Sequence, residues 1–408
     1  MKKFVSVVAM TSLYASFAHA SSSVTLYGII DPDVVFVSNA QLGRAGGVLQ
    51  GAHQISMLDA STSSYAGSRF GLKGVEDLGG GTSAVFTLEN GFNAATGALG
   101  QGGLMFGRQA FVGVTNNTFG AISLGRQYSS LFDFVSPSTS ASQFGGFITS
   151  HPDDLDNLGI TNRQNNTIKI STPSFRGFSM NAMYGLGGVA GNVSQNQLWS
   201  VGAGYLNGPF RIGVAFLDAF DPNISLWGAQ PNSGGVTTNN MGSFGSVTTP
   251  QRNPVIAGYA SAHREQIAAA GTSYVIGRAT VGVVYSNTRF VGLGSTSGPN
   301  PLGYVGSASF NTVEGNLTYL VDPDVSLGTS YSYTSANGPD GRKAHYNQVN
   351  VGAHYFISKR TDVYVVAAYQ RASGVDSLGQ SAVASITGMT PSASKQQFVN
   401  SVGLAHKF

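Results

Sequence analysis

The sequence predicts an all-β chain, a transmembrane antiparallel β-barrel of sixteen strands, and three observations carry that expectation. Alternation of apolar and polar residues with period two recurs every ten to fifteen positions, while helical periodicity is nearly absent. Connections between the strand candidates alternate between short and long. After the first twenty residues no stretch approaches ~18 continuous apolar residues, the length a membrane helix needs. A span built of strands must then close on itself, because only closure satisfies every backbone group in lipid.

Taken in chain order, residues 1–20 read as a secretory leader. Lys2 and Lys3 give a basic start, Phe4 to Phe17 is largely apolar, and Ala18-His19-Ala20 is a small-x-small cleavage site, so residues 21–408 are expected to form a single barrel domain. The chain has no cysteine, which leaves packing and strand closure to hold an exported protein together. Without Lys2 and Lys3 the remaining 20 Lys+Arg stand against 19 Asp+Glu, a net charge of +1, and this balance gives no reason to expect a nucleic-acid partner. Charged residues are 10% of the chain, aromatics 11%, and there are 55 glycines, unlike an ordinary soluble enzyme.

Short turns fall at 76–81, 116–120, 173–177, 206–209, 277–278, 321–325 and 358–362, each with Gly, Pro, Asn or Asp or a small polar cluster. Long connections fall at about 38–65, 93–104, 127–162, 187–195, 221–263, 289–305, 335–343 and 372–395. Seven turns and eight loops join sixteen strands, from near Val24 to Phe408, with short turns on one rim and long loops on the other, the layout of bacterial outer-membrane barrels. A soluble sandwich would also alternate, but successive hairpins without a Greek-key crossing favour the barrel.

Several strands show clean faces. Arg69, Gly71 and Lys73 alternate with Phe70 and Leu72; Thr167, Lys169 and Ser171 alternate with Ile168 and Ile170. In the last strand Phe398, Val402, Leu404, His406 and Phe408 share one face. A chain stopping on an aromatic is expected to rest in apolar surroundings, and this strand is expected to close the barrel against Val24–Val37.

The fragments Val24-Thr25-Leu26-Tyr27-Gly28, Ser68-Arg69-Phe70-Gly71-Leu72-Lys73-Gly74, Glu76-Asp77-Leu78-Gly79, Phe86-Thr87-Leu88-Glu89-Asn90-Gly91-Phe92, Phe106-Gly107-Arg108-Gln109-Ala110-Phe111-Val112-Gly113 and Leu124-Gly125-Arg126-Gln127-Tyr128 resemble the Gram-negative general porins, most closely their β-proteobacterial branch. The terminal Val402-Gly403-Leu404-Ala405-His406-Lys407-Phe408 resembles that branch as well. Motif matching is dense over the first 130 residues and at the C-terminus; between them only the hairpin rhythm carries it.

The resemblance implies a homotrimer of sixteen-stranded barrels in the bacterial outer membrane, among its lipid and lipopolysaccharide, each with a water-filled pore narrowed by an inward third loop. Residues 129–162 are placed and long enough for that loop, and Gln143-Phe144-Gly145-Gly146 resembles its tip. The resemblance also implies a ladder of pore arginines, matched here by Arg69, Arg108 and Arg163. The strand faces support Arg69 and, with Asn165 and Thr167, Arg163; the face of Arg108 also carries Ala110 and Val112, so its placement rests on the resemblance. Arg69 and Arg108 sit two strands apart, roughly 10 Å at ordinary strand spacing. Lys73, Lys169, Glu89, Asp31 and Asp33 are further candidate lumen charges. Leu404, His406 and Phe408 match the signal read by the barrel-assembly machinery.

The family sets acidic residues on the inward loop opposite its arginines. Here 134–144 reads FVSPSTSASQF and has none, with Gln143 before the Phe-Gly-Gly and Asp133 only at the loop's root. Wall arginines without loop acids predict an anion-leaning passive channel for small hydrophilic solutes. His151-Pro152-Asp153-Asp154 with Asp156 could bind calcium, but a solvated acidic loop is the preferred reading. The seven histidines suggest no metal site, no cofactor is expected, and the sequence nominates no Ser-His or Asp-His catalytic pair, so an enzyme is not expected. Two other functions stay open: a substrate-specific channel for a sugar or organic acid, and a barrel acting mainly as an adhesin or surface scaffold through loop 221–263.

Overall fold

A computed structural model describes residues 22–61, 63, 65–159, 162–222, 253–295, 300 and 302–408. The expected leader and most of the 221–263 connection lie outside the described residues.

Eighteen strand segments occur among the described residues. They are β1 (Ser22–Ile30), β2 (Pro32–Ala45), β3 (Val48–Asp59), β4 (Arg69–Gly79), β5 (Thr82–Gly91), β6 (Gln109–Asn116), β7 (Gly120–Gln127), β8 (Gln164–Ser171) and β9 (Phe178–Gly185). The second half holds β10 (Leu198–Asn207), β11 (Phe210–Phe220), β12 (Arg264–Ile276), β13 (Ala279–Leu293), β14 (Gly306–Asp322), β15 (Val325–Asn337), β16 (Lys343–Phe356), β17 (Thr361–Gly374) and β18 (Gln396–Lys407). β1 runs into β2 through Asp31, and β3 and β4 are two parts of one wall strand, so the wall is a closed antiparallel barrel of sixteen strands.

Closure comes from the last strand. β18 sets Lys407 opposite Ile29 and His406 opposite Ile30 on β1, then Gly403 opposite Asp33 and Val399 opposite Val37 on β2. The register is continuous across Asp31. Phe408 and Gly28 exchange two backbone hydrogen bonds of 3.1 Å, and the Phe408 ring lies where a side chain on residue 28 would stand. Phe398, Val402, Leu404 and Phe408 face outward, 41–48% exposed, while Val399, Ser401 and Ala405 between them are buried. This is the lipid-facing alternation of a membrane barrel.

The expected first long loop, 38–65, is mostly strand. β2 and β3 form a hairpin through Gly46-Gly47, both at positive φ (56° and 80°), as a tight two-residue turn requires. Beyond β3 the described residues 60, 61, 63 and 65–68 stand off the wall before β4, and the Ser63 carbonyl points inward, accepting the Ile148 N–H at 2.8 Å.

The buried apolar clusters lie inside the barrel. One joins Leu131, Val135 and Leu158 of the third loop to Leu198, Leu217 and Val284 of the wall. A second places Ile148 against Tyr364 and Val366. A third gathers Leu155 with Tyr259, Phe290, Phe310 and Tyr346 toward the long-loop rim.

Candidate functional site: the pore constriction

The third loop lines the inner wall from β10 to β17 through five short helical turns. Against β4–β8 lies a cavity of about 350 Å³, whose lining includes Arg69, Glu89, Arg108, Tyr128, Asp133 and Lys169.

Arg69 starts β4 on its inner face and donates through Nη1 to the Ala66 carbonyl at 2.6 Å. Glu89, inward on β5 opposite Gly71, takes the Arg108 Nε–H at 2.7 Å and the Tyr27 hydroxyl at 2.9 Å, with Arg69 Nε at 3.9 Å. One carboxylate thus holds two guanidiniums. Arg108 and Arg163 each donate through Nη2 to the Tyr128 hydroxyl, at 3.2 and 3.3 Å, and the Arg163 guanidinium lies 5.2 Å from the centre of that ring. Lys169 pairs with Asp133, which also accepts from Asn181 at 2.6 Å. Around the cavity Arg69, Arg108 and Lys169 face Glu89 and Asp133, an excess of one positive charge, and the buried Arg163 against Tyr128 adds another.

Two arginines lie off the strand faces expected from alternation. Arg108 lies just before β6, whose inner face carries Gln109 and Phe111; Val112 is outward, so Arg108 reaches Glu89 from outside the strand alternation. Arg163 lies just before β8, and pairing steps from Gly125 opposite Thr167 to Gln127 opposite Gln164. Alternation therefore does not run from Thr167 back to Arg163, although its guanidinium still reaches the cluster.

Asp31 and Asp33 are not presented to the passage either. Asp31 is fully buried and accepts the Ala66 and Gly67 N–H groups and the Tyr364 hydroxyl; Asp33 accepts the Ser63 and Ser401 hydroxyls. Both tie the 60–68 step to the wall. Lys73 stays exposed, 5.5 Å from the Tyr27 ring centre.

The loop tip is built into the opposite wall. Phe144 is buried against Gly328 of β15 and Gly352 of β16; a Cβ at 328 would fall on its ring, and one at 352 would come within 2.7 Å. The Phe144 carbonyl accepts from His354 Nε2 at 2.8 Å, and His354 Nδ1 lies 3.0 Å from Asp362. Gly146 turns the chain at φ 63° and ψ −148°, a conformation only glycine adopts readily. Gln143 donates weakly to the Ser138 carbonyl at 3.4 Å, and Gly145 approaches Thr149 too closely for a side chain. Glu314 accepts the Ser140 N–H and hydroxyl, each at 2.7 Å; Gln348 donates to the Ile148 carbonyl at 2.9 Å and Asn316 to the Ser138 carbonyl at 2.8 Å.

The acidic stretch after the tip is folded in, contrary to the solvated loop expected. His151 Nδ1 lies 2.6 Å from Asp156, its Nε2 3.4 Å from Glu314, and Asp156 also accepts from Ser286. Burial alone would lower the His151 pKa, but Asp156 and Glu314 hold it well above the ordinary imidazole value. Burial likewise works to raise Asp156, and His151 keeps it below the carboxylate range. Among the described residues no group of three or more acidic, histidine or cysteine side chains is arranged to hold a metal ion.

Sequence reasoning missed Tyr27, Tyr128 and Arg126. Arg126, opposite Ala110 on the strand face that carries exposed Leu124, donates to the Gly107 carbonyl at 2.8 Å and the Arg163 carbonyl at 3.1 Å, bracing the chain on both sides of the cluster. The run Arg126-Gln127-Tyr128 at the end of β7 carried that signal. Three His–Asp pairs were also missed: His151–Asp156 within the folded third loop, His263–Asp221 at the two ends of a long connection, and His354–Asp362 on the neighbouring strands β16 and β17.

Comparison with known proteins agrees with the barrel fold. The sequence profile of a Gram-negative porin family matches residues 5–375. An outer membrane porin protein of Bordetella pertussis is 32% identical over 242 residues, 53% of this chain and 59% of that protein. Outer membrane porin protein 32 of Delftia acidovorans is 29% identical over 422 residues, the full length of both. Among solved structures, the anion-selective porin from Comamonas acidovorans superposes with a TM-score of 0.67 at 22% identity, covering 95% of this chain and all of that one. With a closed sixteen-strand wall and a matching profile over most of its length, the chain belongs to the Gram-negative porin family and is an outer-membrane channel for passive diffusion.

Proposed function

We propose that this channel leans toward anions, with Arg69, Arg108 and Arg163 setting the preference and Lys169 and Lys73 adding to it. The observation that carries the reading is the pairing of a cationic wall with a loop stretch, 134–144, that has no carboxylate. Guanidiniums stay protonated at any physiological pH, and fixed positive charge at a narrow low-dielectric opening raises the local anion concentration. Catalysis has no part; solutes move down their gradients. The anion selectivity named for the Comamonas relative is consistent with this assignment.

The wider assembly follows the family. A trimer form is known for one structural relative, an outer membrane protein of Vibrio cholerae, and a homotrimer set in lipid and lipopolysaccharide is the proposed state here. Residues 1–20 are proposed as the export leader, and Leu404, His406 and Phe408 as the segment handed to the barrel-assembly machinery.

Planar-bilayer recording of the purified protein tests the channel. It is expected to show discrete ohmic steps with chloride more permeant than potassium. The preference should fade as salt rises, since the screening length falls from about 10 Å at 0.1 M to about 3 Å at 1 M. Absence of steps, or preference for potassium, would contradict the proposal.

A further inference from the structure

The cavity beside the arginines is not uniformly polar. Phe111 stands on the inner face of β6 between Gln109 and Gly113, and it lines the same cavity as Arg69 and Arg108. Phe132, from the first turn of the third loop, lines it too, and its ring centre lies 4.2 Å from that of Tyr128 at an interplanar angle of 34°. The Tyr128 ring is held from behind by Arg163 and through its hydroxyl by Arg108 and Arg163. Three aromatic rings therefore line one cavity with the cations Arg69, Arg108 and Lys169.

The rings of this arrangement do nothing for a simple inorganic anion, which meets only its cations. The face of an aromatic ring carries negative quadrupole density and the ring surface is apolar, so chloride or phosphate gains nothing from rings at its path. A solute bearing both a carboxylate and a ring uses both halves. Its carboxylate meets Arg69, whose guanidinium is the more exposed of the two that flank Glu89, at 27% against 11% for Arg108. Planar guanidinium matches a carboxylate through paired N–H donors. Its ring then packs on Phe132 and Phe111. A cavity of about 350 Å³ lies at the small end of the roughly 300–1,000 Å³ typical of ligand sites, which suits one ring with a short acidic arm.

We infer that the constriction contains a subsite for aromatic carboxylates, formed by Arg69 with Phe111, Phe132 and Tyr128, an assignment that rests on the anion-leaning channel proposed above. The channel would pass such acids by a weak, saturable stop at the rings rather than by diffusion alone.

The test uses the full channel in planar bilayers with two probes of equal charge and similar size, benzoate and cyclohexanecarboxylate. The measured quantity is the concentration of each that halves the chloride current. Benzoate is expected to do so at a concentration roughly 2- to 10-fold lower, the factor one aromatic pair supplies beyond area burial. Phe132→Leu and Phe111→Leu should each bring the ratio toward one, with discrete current steps showing that the variants have assembled. Equal blocking by the two acids in the wild-type channel would overturn the subsite, and a ratio unchanged in both variants would overturn its location. A wild-type preference for potassium over chloride would instead overturn the anion-leaning reading, while the benzoate ratio still decides the subsite.

Discussion

From β4 to β8 the inner wall offers Arg69, Glu89, Lys169 and the reach of Arg108 and Arg163, while from β10 to β17 the same inner face offers Gly202, Gly213, Asn316, Gly328, Gln348 and Gly352. The charged half leaves space beside it. The glycine and amide half leaves none: Phe134 packs on Gly202 and Gly213, Phe144 on Gly328 and Gly352, and amide side chains take the loop's carbonyls. The difference teaches how one wall makes an asymmetric pore. Side chains too small to fill the lumen admit the loop on one side, and long cationic ones meet it across the gap on the other.

Breaking the gripping half should have the largest effect. Phe144→Ala removes a buried ring from the glycine notch, and large-to-small changes of this kind cost about 3–5 kcal/mol. Single-channel conductance should rise and become noisy as the tip detaches, and Gly328→Val, which fills the notch, should do the same from the wall side. Unchanged, quiet steps in both variants would show that the tip is held elsewhere.

The charged half is broken more locally. Arg108→Gln leaves Glu89 buried with one guanidinium instead of two, so anion preference should fall and thermal stability with it. Removing both partners, Arg108→Gln with Glu89→Gln, should recover stability, read as the heat-dissociation temperature of the assembled protein, more than it recovers selectivity.

A smaller effect is expected from pH, and it belongs to the gripping half. The raised His151 contributes its stabilisation in full below the ordinary imidazole value of 6.5 and loses it as pH rises through the elevated folded value. The lowered Asp156 contributes above the ordinary 3.8 and loses its share as pH falls through its depressed value. Loop noise should therefore be flat between those ordinary values, growing as pH rises above the upper one or falls below the lower. Growth between pH 3.8 and pH 6.5 would contradict the His151–Asp156 account. Least visible in the open pore should be Phe408→Ala, which is expected to lower the yield of assembled barrel while surviving channels keep the wild-type conductance, checked by recording and by heat-modifiable gel mobility.

The two halves were unequally legible in the sequence. The barrel was legible because alternation and turn chemistry are local: β18, the seven short turns and the long third connection fall where those signals put them. Arg69 was legible because it lies inside a regular strand. Arg108 and Arg163 lie just outside theirs, where parity says nothing, and only the resemblance marked them. The gripping half was nearly invisible, because an inward glycine such as Gly328 or Gly352 reads as weak strand rather than as a socket for a ring some two hundred residues away. Asp31 and Asp33 misled for the same reason, since their partners Tyr364 and Ser401 are brought in by barrel closure. The hairpin turn at Gly46-Gly47 was a local signal that reading 38–65 as one loop passed over.

The most direct test of the charged half is the zero-current potential across a KCl gradient, for the wild-type channel and for Arg69→Gln with Arg108→Gln. The arrangement of these side chains predicts a wild-type potential of the sign set by chloride, moved toward zero or reversed in the double variant. A wild-type potential of the sign set by potassium, or one the double variant leaves unchanged, would contradict it.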